Sequence, residues 1–513
     1  MSAVGDAGSS DGVEAGSDRR DLARGGITSF VGSLISAIMG FALTVVLARI
    51  LGDAGSGVVL QAIAVFTVVL SFARAGMDSA AVWIMPRLVH SDVGGIRGAI
   101  SYMFVVSAVS GAICSIIVAV AAPVFAATSH ADGGLVAEAV TLAGWFIPLG
   151  ALQLVAMGAT RGLGGVLPYV AVGSVGLPTV RPIAVALVAT AGGSFAAVTL
   201  AWSFPLPAAL IASVFVLRSQ IRRHERAAGV TGTWWPKKPL RQQIFRYALP
   251  RTLSAGLEQS LIWFDVILVG LISGSATAGI YGGASRFVAA GLVVDSALRV
   301  VVSPRFSALL HLNKLRQLED LYRTAAMWLV LFGAPLYFLL GVFAPVVLGW
   351  LGPGFDTGSV ALAILCGGAI LTFAAGNIHS VLLMSGRSGW GAFNKAVVLA
   401  INIIGNLILV PIAGPAGAAS AWAFCMLLDA VLAAIEVRRF LGVRLNLTSV
   451  GYALLVPILT VGVPAMIVRL LLGATLLGLI VGSVISIVLF LTWCRFDRRR
   501  LHLADLALMA RSR

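Results

Sequence analysis

The sequence predicts an all-α polytopic membrane protein with about 14 transmembrane helices, and three observations support this. The chain has 513 residues, of which 59% are hydrophobic and 11% charged, and its mean hydropathy is +0.99. Soluble domains are about a quarter charged, so this composition excludes an ordinary soluble protein. Long stretches contain no Asp, Glu, Lys or Arg, and each exceeds the ~20 residues that cross a bilayer as a helix. Basic residues, finally, cluster in every second loop.

Charges and Gly/Pro clusters divide the chain into fourteen predicted spans, numbered here in chain order. Pro178 and Pro182 must kink the fifth span, because proline has no backbone N–H to donate. Only Arg469 and Gly473 separate the last two spans. The spans cover residues 25–48, 55–79, 99–122, 136–158, 167–190, 196–217, 247–272, 277–302, 325–348, 358–384, 391–411, 416–437, 450–470 and 472–494.

The distribution of basic residues predicts the orientation of these spans. With the N-terminus in the cytosol, the cytosolic loops hold nearly all Lys and Arg, whereas the outer loops hold Arg49, Arg469 and little else basic. The net charge of +15 therefore reflects topology, and we expect no nucleic-acid partner. Residues 1–24 lack the apolar core of a signal peptide and are polar and Gly-rich, which predicts a disordered cytosolic tail.

Three short matches between the two halves predict an internal repeat. They pair LARILGDAGSGVVLQA with ILVGLISGSATAGIYGGA, MPRL with SPRF, and LAWSF with SAWAF, at offsets of 218 to 220 residues. Two parallel six-helix repeats would place a substrate site between two lobes. The predicted organisation is the tail 1–24, an N-lobe 25–217 with spans 1–6, a basic cytosolic linker 218–246, a C-lobe 247–437 with spans 7–12, spans 13 and 14 in 438–494, and a basic cytosolic tail 495–513.

With these features the chain resembles the multidrug/oligosaccharidyl-lipid/polysaccharide (MOP) exporter superfamily, and more narrowly the Wzx-type polysaccharide-unit flippases and the lipid II flippases. The segments LARILGDAGSGVV, GLISGSATAGIYGGASR and PRFSALLHLNKLRQLEDLYRTA carry the resemblance, which extends over about residues 25–494. Fourteen spans are similar to the lipid II branch. The resemblance implies two lobes that alternate between inward-open and outward-open states, with a central cavity lined mainly by spans 1, 2, 7 and 8.

Charged residues inside the spans are candidate functional residues, because each costs at least about 2.5–3.5 kcal/mol at the bilayer centre. Guanidinium groups bind phosphate through two parallel hydrogen bonds without titrating, which suits the pyrophosphate of a lipid-linked glycan. Arg74, near the cytosolic end of its span, could instead extend to the interface, and Arg181 could cap carbonyls of a broken helix. The pyrophosphate-binding candidates are Arg49, Arg286, Arg74 and Arg181.

Two of these arginines have a carboxylate as the alternative partner. Arg49 lies on the outer side, against the positive-inside bias, and could pair with Asp53 one helical turn later. Asp265 and Arg286 lie roughly 10 and 14 Å below the outer ends of neighbouring spans, close enough for a buried ion pair that fixes helix packing. Both readings stay open at the level of sequence.

Three carboxylates are candidates for ion coupling or for the cavity wall: Glu258, Asp265 and Asp295. Glu258 lies closest to the midplane, whereas Asp295 could be neutralised by Arg299 one turn later. Asp429, in the peripheral twelfth span, is not included. We expect no cofactor, although transport could be coupled to protons, sodium or the membrane potential. The four cysteines have no metal-site spacing.

The resemblance implies a non-enzymatic transporter of the bacterial cytoplasmic membrane, with both termini in the cytosol. It would flip a polyprenyl-pyrophosphate-linked oligosaccharide to the outer leaflet, with membrane lipids and glycan-assembly enzymes as partners. The alternative is a MATE-like ion-coupled multidrug exporter, whose site for cationic drugs should be acidic rather than arginine-bearing. A membrane enzyme would need a sizeable outer loop, but the longest here, residues 123–135, holds a single Asp.

Overall fold

The computed structural model describes residues 8–127, 131–443, 447–498 and 500–501. These residues form an all-helical structure without strands, which confirms the predicted fold class. By length and composition, ten helices of the described chain can cross a membrane, and an eleventh results if a bent pair counts as one span. Each of the fourteen predicted spans overlaps helical residues. Two of the ten long helices each contain two predicted spans, because a kinked glycine replaces the loop between them.

The N-terminal half begins with the longest helix, which holds spans 1 and 2 on either side of a kink at Gly52 (φ 71°, ψ −169°). This helix starts at Gly8, where composition predicts a disordered tail, since the Ala, Glu and Arg residues among 14–24 favour helix. The helices are α1 (Gly8–Ala73), α2 (Met77–Ser91), α3 (Gly95–Ala121), α4 (Pro123–Ala126), α5 (Gly133–Gly144), α6 (Ile147–Gly162), α7 (Val166–Tyr169), α8 (Leu177–Thr190), α9 (Phe195–Ser203) and α10 (Pro205–Ala228).

The C-terminal half begins with a continuous helix that contains both the end of the predicted linker and span 7. Spans 11 and 12 share one helix, kinked at Gly414 (φ 53°, ψ −129°). The helices are α11 (Lys238–Ser273), α12 (Ser275–Gly291), α13 (Val293–His311), α14 (Leu315–Val342), α15 (Ala344–Gly349), α16 (Ser359–Ala374), α17 (Ile378–Met384), α18 (Ser388–Leu441), α19 (Leu447–Pro457), α20 (Val463–Leu472) and α21 (Leu476–Phe496), with a 3₁₀ turn at Phe355–Gly358.

Proline changes the helix type in two spans. A π-helical segment, Val170–Gly176, directly precedes Pro178, and a second one, Ile458–Gly462, directly precedes Pro464. Proline donates no hydrogen bond and its ring clashes with the carbonyl four residues earlier, so the preceding turn widens. The predicted break in span 5 is thus a widened turn, and the helix continues through Pro182.

Loop glycines repeat along the chain in the manner expected of parallel repeats. Gly52 and Gly274 (φ 85°, ψ 169°) are 222 residues apart and follow spans 1 and 7. Gly192 and Gly414, also 222 residues apart, follow spans 5 and 11, and both have positive φ. Such backbone angles are accessible to glycine without steric cost. We call the end of the molecule that carries these four glycines the outer end, after the predicted orientation.

Candidate functional site between the lobes

The N-lobe and the C-lobe meet at the outer end through backbone contact between α1 and α12. A Cβ atom on Gly57 would lie 1.8 Å from the carbonyl oxygen of Ser275, and one on Gly279 would lie 2.1 Å from that of Asp53. Because real Cβ contacts essentially never fall below 3.0 Å, neither position accepts a side chain in this arrangement. The two helices therefore approach as closely as backbones allow, in the small-residue mode of membrane helix pairs.

A buried amide reinforces this outer contact. Gln61 in α1 is 1% exposed, and its Nε2 donates to the Gly57 carbonyl (3.2 Å) and to Oγ of Ser275 (3.3 Å). A Cβ on Gly270 of α11 would lie 1.9 Å from Oε1 of Gln61. Gln61 thus joins spans 2, 7 and 8, and its donor group is satisfied only while the lobes are closed at this end.

Arg49 lies at the same end and contacts the C-lobe rather than Asp53. Its Nε donates to the carbonyl of Trp350 at 2.7 Å, while Oδ1 of Asp53 accepts from the backbone N–H of Ala54 at 2.7 Å. Among the described residues, no carboxylate lies within 4.0 Å of the Arg49 guanidinium. The Arg49–Asp53 pair is therefore wrong, because the kink at Gly52 takes Asp53 out of the helical register that the pairing requires.

Arg286 and Asp265 have separate partners, so the predicted ion pair between them is wrong. The Arg286 guanidinium carbon stacks 3.8 Å from the ring centroid of Trp263. Asp265, 2% exposed, accepts from the Tyr281 hydroxyl at 2.9 Å and from Nδ2 of Asn406 at 2.8 Å. Each carboxylate oxygen thus has a neutral donor, and the tryptophan face holds the cation.

Asp265 belongs to a polar cluster between spans 7, 8 and 11. Asn406 also donates to the backbone carbonyl of Asn402 (2.9 Å) and to its Oδ1 (3.3 Å). Two buried atoms of this cluster, Oδ1 of Asn406 and Nδ2 of Asn402, have no hydrogen-bond partner. Buried polar atoms normally have partners, so an unpaired amide oxygen beside a carboxylate is suited to a small cation or a water molecule. In the described chain no cluster of three or more His, Cys, Asp or Glu side chains could hold a metal ion.

The other predicted charges interact within their own lobes. Nη1 of Arg74 pairs with Asp78 at 2.9 Å, so Arg74 is neutralised where the chain leaves span 2. Asp295 pairs with Arg299, as the four-residue spacing predicts. Arg181 stacks 4.0 Å from the ring of Trp202 and its Nε donates to the Trp202 carbonyl at 3.2 Å, in the N-lobe. None of these contacts joins them to Arg49 or Arg286.

Glu258 remains a single carboxylate on an exposed face of α11. It is exposed, as are Leu253 and Ile262 on either side of it along the helix. No hydrogen bond or ion pair of Glu258 occurs within the described chain. A carboxylate near the middle of a span is tolerated where water reaches it, which makes this face a candidate wall of an aqueous cavity.

A second polar cluster, which the sequence did not predict, lies between spans 10, 11 and 12. Asp429 binds both Nζ of Lys395 and Nε2 of His379, the latter at 3.2 Å, and Asn394 donates to Glu436 at 2.9 Å. Asp429 was set aside as peripheral, yet it is 4% exposed and pairs with two cationic groups. The signal was present in span 11, where Asn394, Asn402 and Asn406 share one helical face within an apolar run.

The two long sides of the lobe interface differ at the cytosolic end. On the side of spans 2 and 7, the rings of Trp83 and Tyr247 stack at 4.3 Å. A Cβ on Gly76 would lie 2.3 Å from the Ala248 carbonyl oxygen, so α2 and α11 are in backbone contact. This side of the interface is closed along its length.

On the other side, the cytosolic half of span 1 packs on span 5. A Cβ on Gly32 would lie 2.5 Å from Cγ1 of Val170 in the π-helical segment. The apolar side chains at the start of span 1 have no cover: Phe30, Val31, Leu34 and Ile38 are exposed. The interface is therefore accessible from the inner leaflet at span 1.

Comparison with known proteins adds a family and a fold. A family model described as "Polysaccharide biosynthesis protein" matches residues 22–310. The chain is 25% identical over 223 residues to the "Probable low-salt glycan biosynthesis flippase Agl15" of Haloferax volcanii, a match that covers 43% of this chain. The matched region covers 47%, about half, of that relative's length.

Two solved structures are similar over nearly their whole length. The lipid II flippase MurJ in an inward closed conformation has a TM-score of 0.70 and 16% identity, over 92% of this chain and 99% of that one. An inward-facing multidrug resistance MATE family transporter of the MOP superfamily has a TM-score of 0.64 and 15% identity, over 79% and 94% of the two chains. Both likenesses show the fold, as the MOP resemblance of the sequence predicts.

Proposed function

The chain belongs to the family of polysaccharide biosynthesis proteins, and on that premise we propose that it is a flippase for lipid-linked glycans. It translocates a polyprenyl-pyrophosphate-linked oligosaccharide across the bacterial cytoplasmic membrane by alternating access. The observation that carries this proposal is the asymmetry of the lobe interface. A substrate whose lipid tail stays in the bilayer needs a lateral entrance, and the uncovered start of span 1 supplies one at the inner leaflet.

The arginines of the lobe interface supply the phosphate contacts. A pyrophosphate cannot cross hydrocarbon unpaired, so donors must meet it along the path. Arg286 uses its flat face on Trp263, which leaves the N–H edge available for two parallel hydrogen bonds. Arg49 has one N–H engaged with Trp350 at the outer end, where the substrate leaves. Arg74 and Arg181 have partners within the N-lobe and are secondary candidates.

The energy source in this proposal is a monovalent cation or a proton that binds the Asp265 cluster. Asp265 contacts Tyr281 in span 8, whose helix also forms the outer contact through Gly279. Neutralising the carboxylate would alter the donors it holds, and so couple ion binding to the position of span 8. Glycan-assembly enzymes on the two sides of the membrane would supply the substrate and consume the product.

Multidrug export is the second candidate, since the MATE family transporter shares the fold. A site for cationic drugs requires acidic and aromatic groups, and Asp265 and Trp263 would supply them. The guanidinium of Arg286 on that same tryptophan disfavours a cationic ligand. The experiment below separates the two functions.

Reconstitution into liposomes tests the flippase proposal. A fluorescent polyprenyl-pyrophosphate-linked saccharide in one leaflet should become accessible to an impermeant quencher in the presence of the protein. We expect Arg286→Lys to lower this rate about tenfold, because a point charge replaces the planar two-donor group. Transport of a cationic dye with no movement of the glycolipid would overturn the proposal in favour of drug export.

Glu258→Gln should lower transport by about three- to tenfold without lowering protein abundance. An exposed carboxylate in the cavity wall affects the local potential and no packing contact. The check is the transport rate across a pH series together with quantification of membrane-inserted protein. Leu253→Gln, on the same face, is the matched control and should retain transport. A wild-type pH profile at full rate in Glu258→Gln would remove Glu258 from the mechanism.

A further inference from the structure

A groove with a volume of about 540 Å³ separates the last two spans. Its walls are Leu459, Leu489, Trp493 and Phe496, together with two threonines. The Thr460 and Thr492 hydroxyls each donate to a carbonyl of their own helix at 2.7 Å. The walls therefore present hydrocarbon, and the volume lies within the ~300–1,000 Å³ of typical ligand pockets.

The π-helical segment forms one wall of this groove. Leu459 and Thr460 belong to Ile458–Gly462, the widened turn ahead of Pro464. A widened turn displaces the side chains around it from regular helical positions, which opens space against a straight neighbour such as α21. The concave shape is thus a consequence of proline placement in span 13.

The mouth of the groove carries one charge of each sign. Asp497 and Arg500 line it just beyond the end of α21 at Phe496. The Tyr452 hydroxyl donates to the Asp497 carboxylate, and the Arg500 guanidinium lies 6.0 Å from the Tyr452 ring centroid. Within the described chain no ion pair joins Asp497 to Arg500, so both charges are available to a ligand.

Contacts with the C-lobe hold this mouth in place. Nε1 of Trp328 in α14 donates to the carbonyl of Leu501 at 3.3 Å. Leu501 is 1% exposed, in a cluster with Leu331, Val456 and Cys494. The residues around Arg500 are therefore ordered before any ligand binds, which lowers the entropic cost of binding.

We propose that this groove binds one phospholipid with a zwitterionic, amine-bearing head group from the inner leaflet. One hydrocarbon chain fills the groove, the phosphate binds Arg500 and the ammonium binds Asp497. Opposite charges three residues apart at the mouth match a head group that carries both charges. An anionic head group without an amine would leave Asp497 next to a phosphate with no cation between them. This proposal is independent of the substrate of transport.

Native mass spectrometry of the purified full chain tests the proposal. The protein is delipidated in detergent and then titrated separately with phosphatidylethanolamine, phosphatidylglycerol and a polyprenyl monophosphate of similar mass. We expect one phosphatidylethanolamine to bind about tenfold more tightly than phosphatidylglycerol. Asp497→Asn should abolish this preference, Arg500→Gln should weaken both phospholipids, and Leu489→Trp should fill the groove and remove the bound lipid. Arg495→Gln, exposed in the last turn of α21 but outside the groove, is the matched control.

Three results would overturn the proposal. The first is equal binding of the two phospholipids by the wild-type protein, and the second is unchanged binding in Leu489→Trp. The third is preferential retention of the polyprenyl phosphate, which would make the groove a site for the isoprenoid lipid. Each variant is first checked for an unchanged melting temperature, and Leu489→Phe replaces Leu489→Trp if the latter fails to fold.

Discussion

Gly279→Ala abolishes transport or lowers it at least tenfold, although the substitution adds a single methyl group. The new Cβ would lie 2.1 Å from the Asp53 carbonyl oxygen, and backbone cannot yield as a flexible side chain can. Overpacking of this kind costs typically about 1–3 kcal/mol. Because ~1.4 kcal/mol is a factor of ten in an equilibrium, the outer end would spend much less time closed. The inward-open state would then be depleted.

Two measurements check this expectation. Glycolipid transport is assayed in liposomes, and Ser275→Cys in a cysteine-free background reports the accessibility of the outer contact to an impermeant thiol reagent. Ser275 is 3% exposed, so labelling should be slow in the parent and faster with Gly279→Ala. Gly40→Ala is the matched control, because a Cβ there meets nothing within 4 Å. Transport at the parental rate in Gly279→Ala would show that the contact between Gly57 and Gly279 is not part of the cycle.

Asp265 substitutions should separate ion coupling from packing. Asp265→Asn keeps a polar group of the same shape opposite Tyr281 and Asn406, so the protein should remain folded while ion-dependent transport is lost. Asp265→Ala leaves two buried donors without an acceptor, at a cost of about 1–3 kcal/mol, and should lower the melting temperature. The measurements are transport with and without a sodium or proton gradient and thermal unfolding in detergent.

The contact geometry also predicts how Asp265 and Arg286 combine. Because they do not pair, the destabilisation in Asp265→Ala with Arg286→Ala should equal the sum of the single effects within about 0.5 kcal/mol. Asp265→Ala with Tyr281→Phe should be clearly non-additive, since one hydrogen bond joins these side chains. Restored transport in the Asp265/Arg286 double variant would instead establish a functional ion pair in another state of the cycle.

The sequence by itself determined the helical membrane fold and the position of every span. In lipid each backbone polar group must be bonded within its own segment, so a long apolar run has one local solution, the helix. The repeat was also visible in sequence, because glycines at Gly52 and Gly274 meet a local backbone requirement that other residues satisfy poorly.

Only the tertiary structure decided the partners of the charged side chains. Arg49 lies four residues from Asp53 but binds Trp350, 301 residues away, because one glycine kink breaks the helical register. Asp265 and Arg286 were matched by depth, yet a neutral hydroxyl, an amide and a tryptophan face hold them instead. Asp429 gained two cationic partners from spans 10 and 11 that spacing along its own helix does not reveal. Depth along a span follows from residue number, whereas the direction in which a side chain points depends on how the helices rotate and pack against one another.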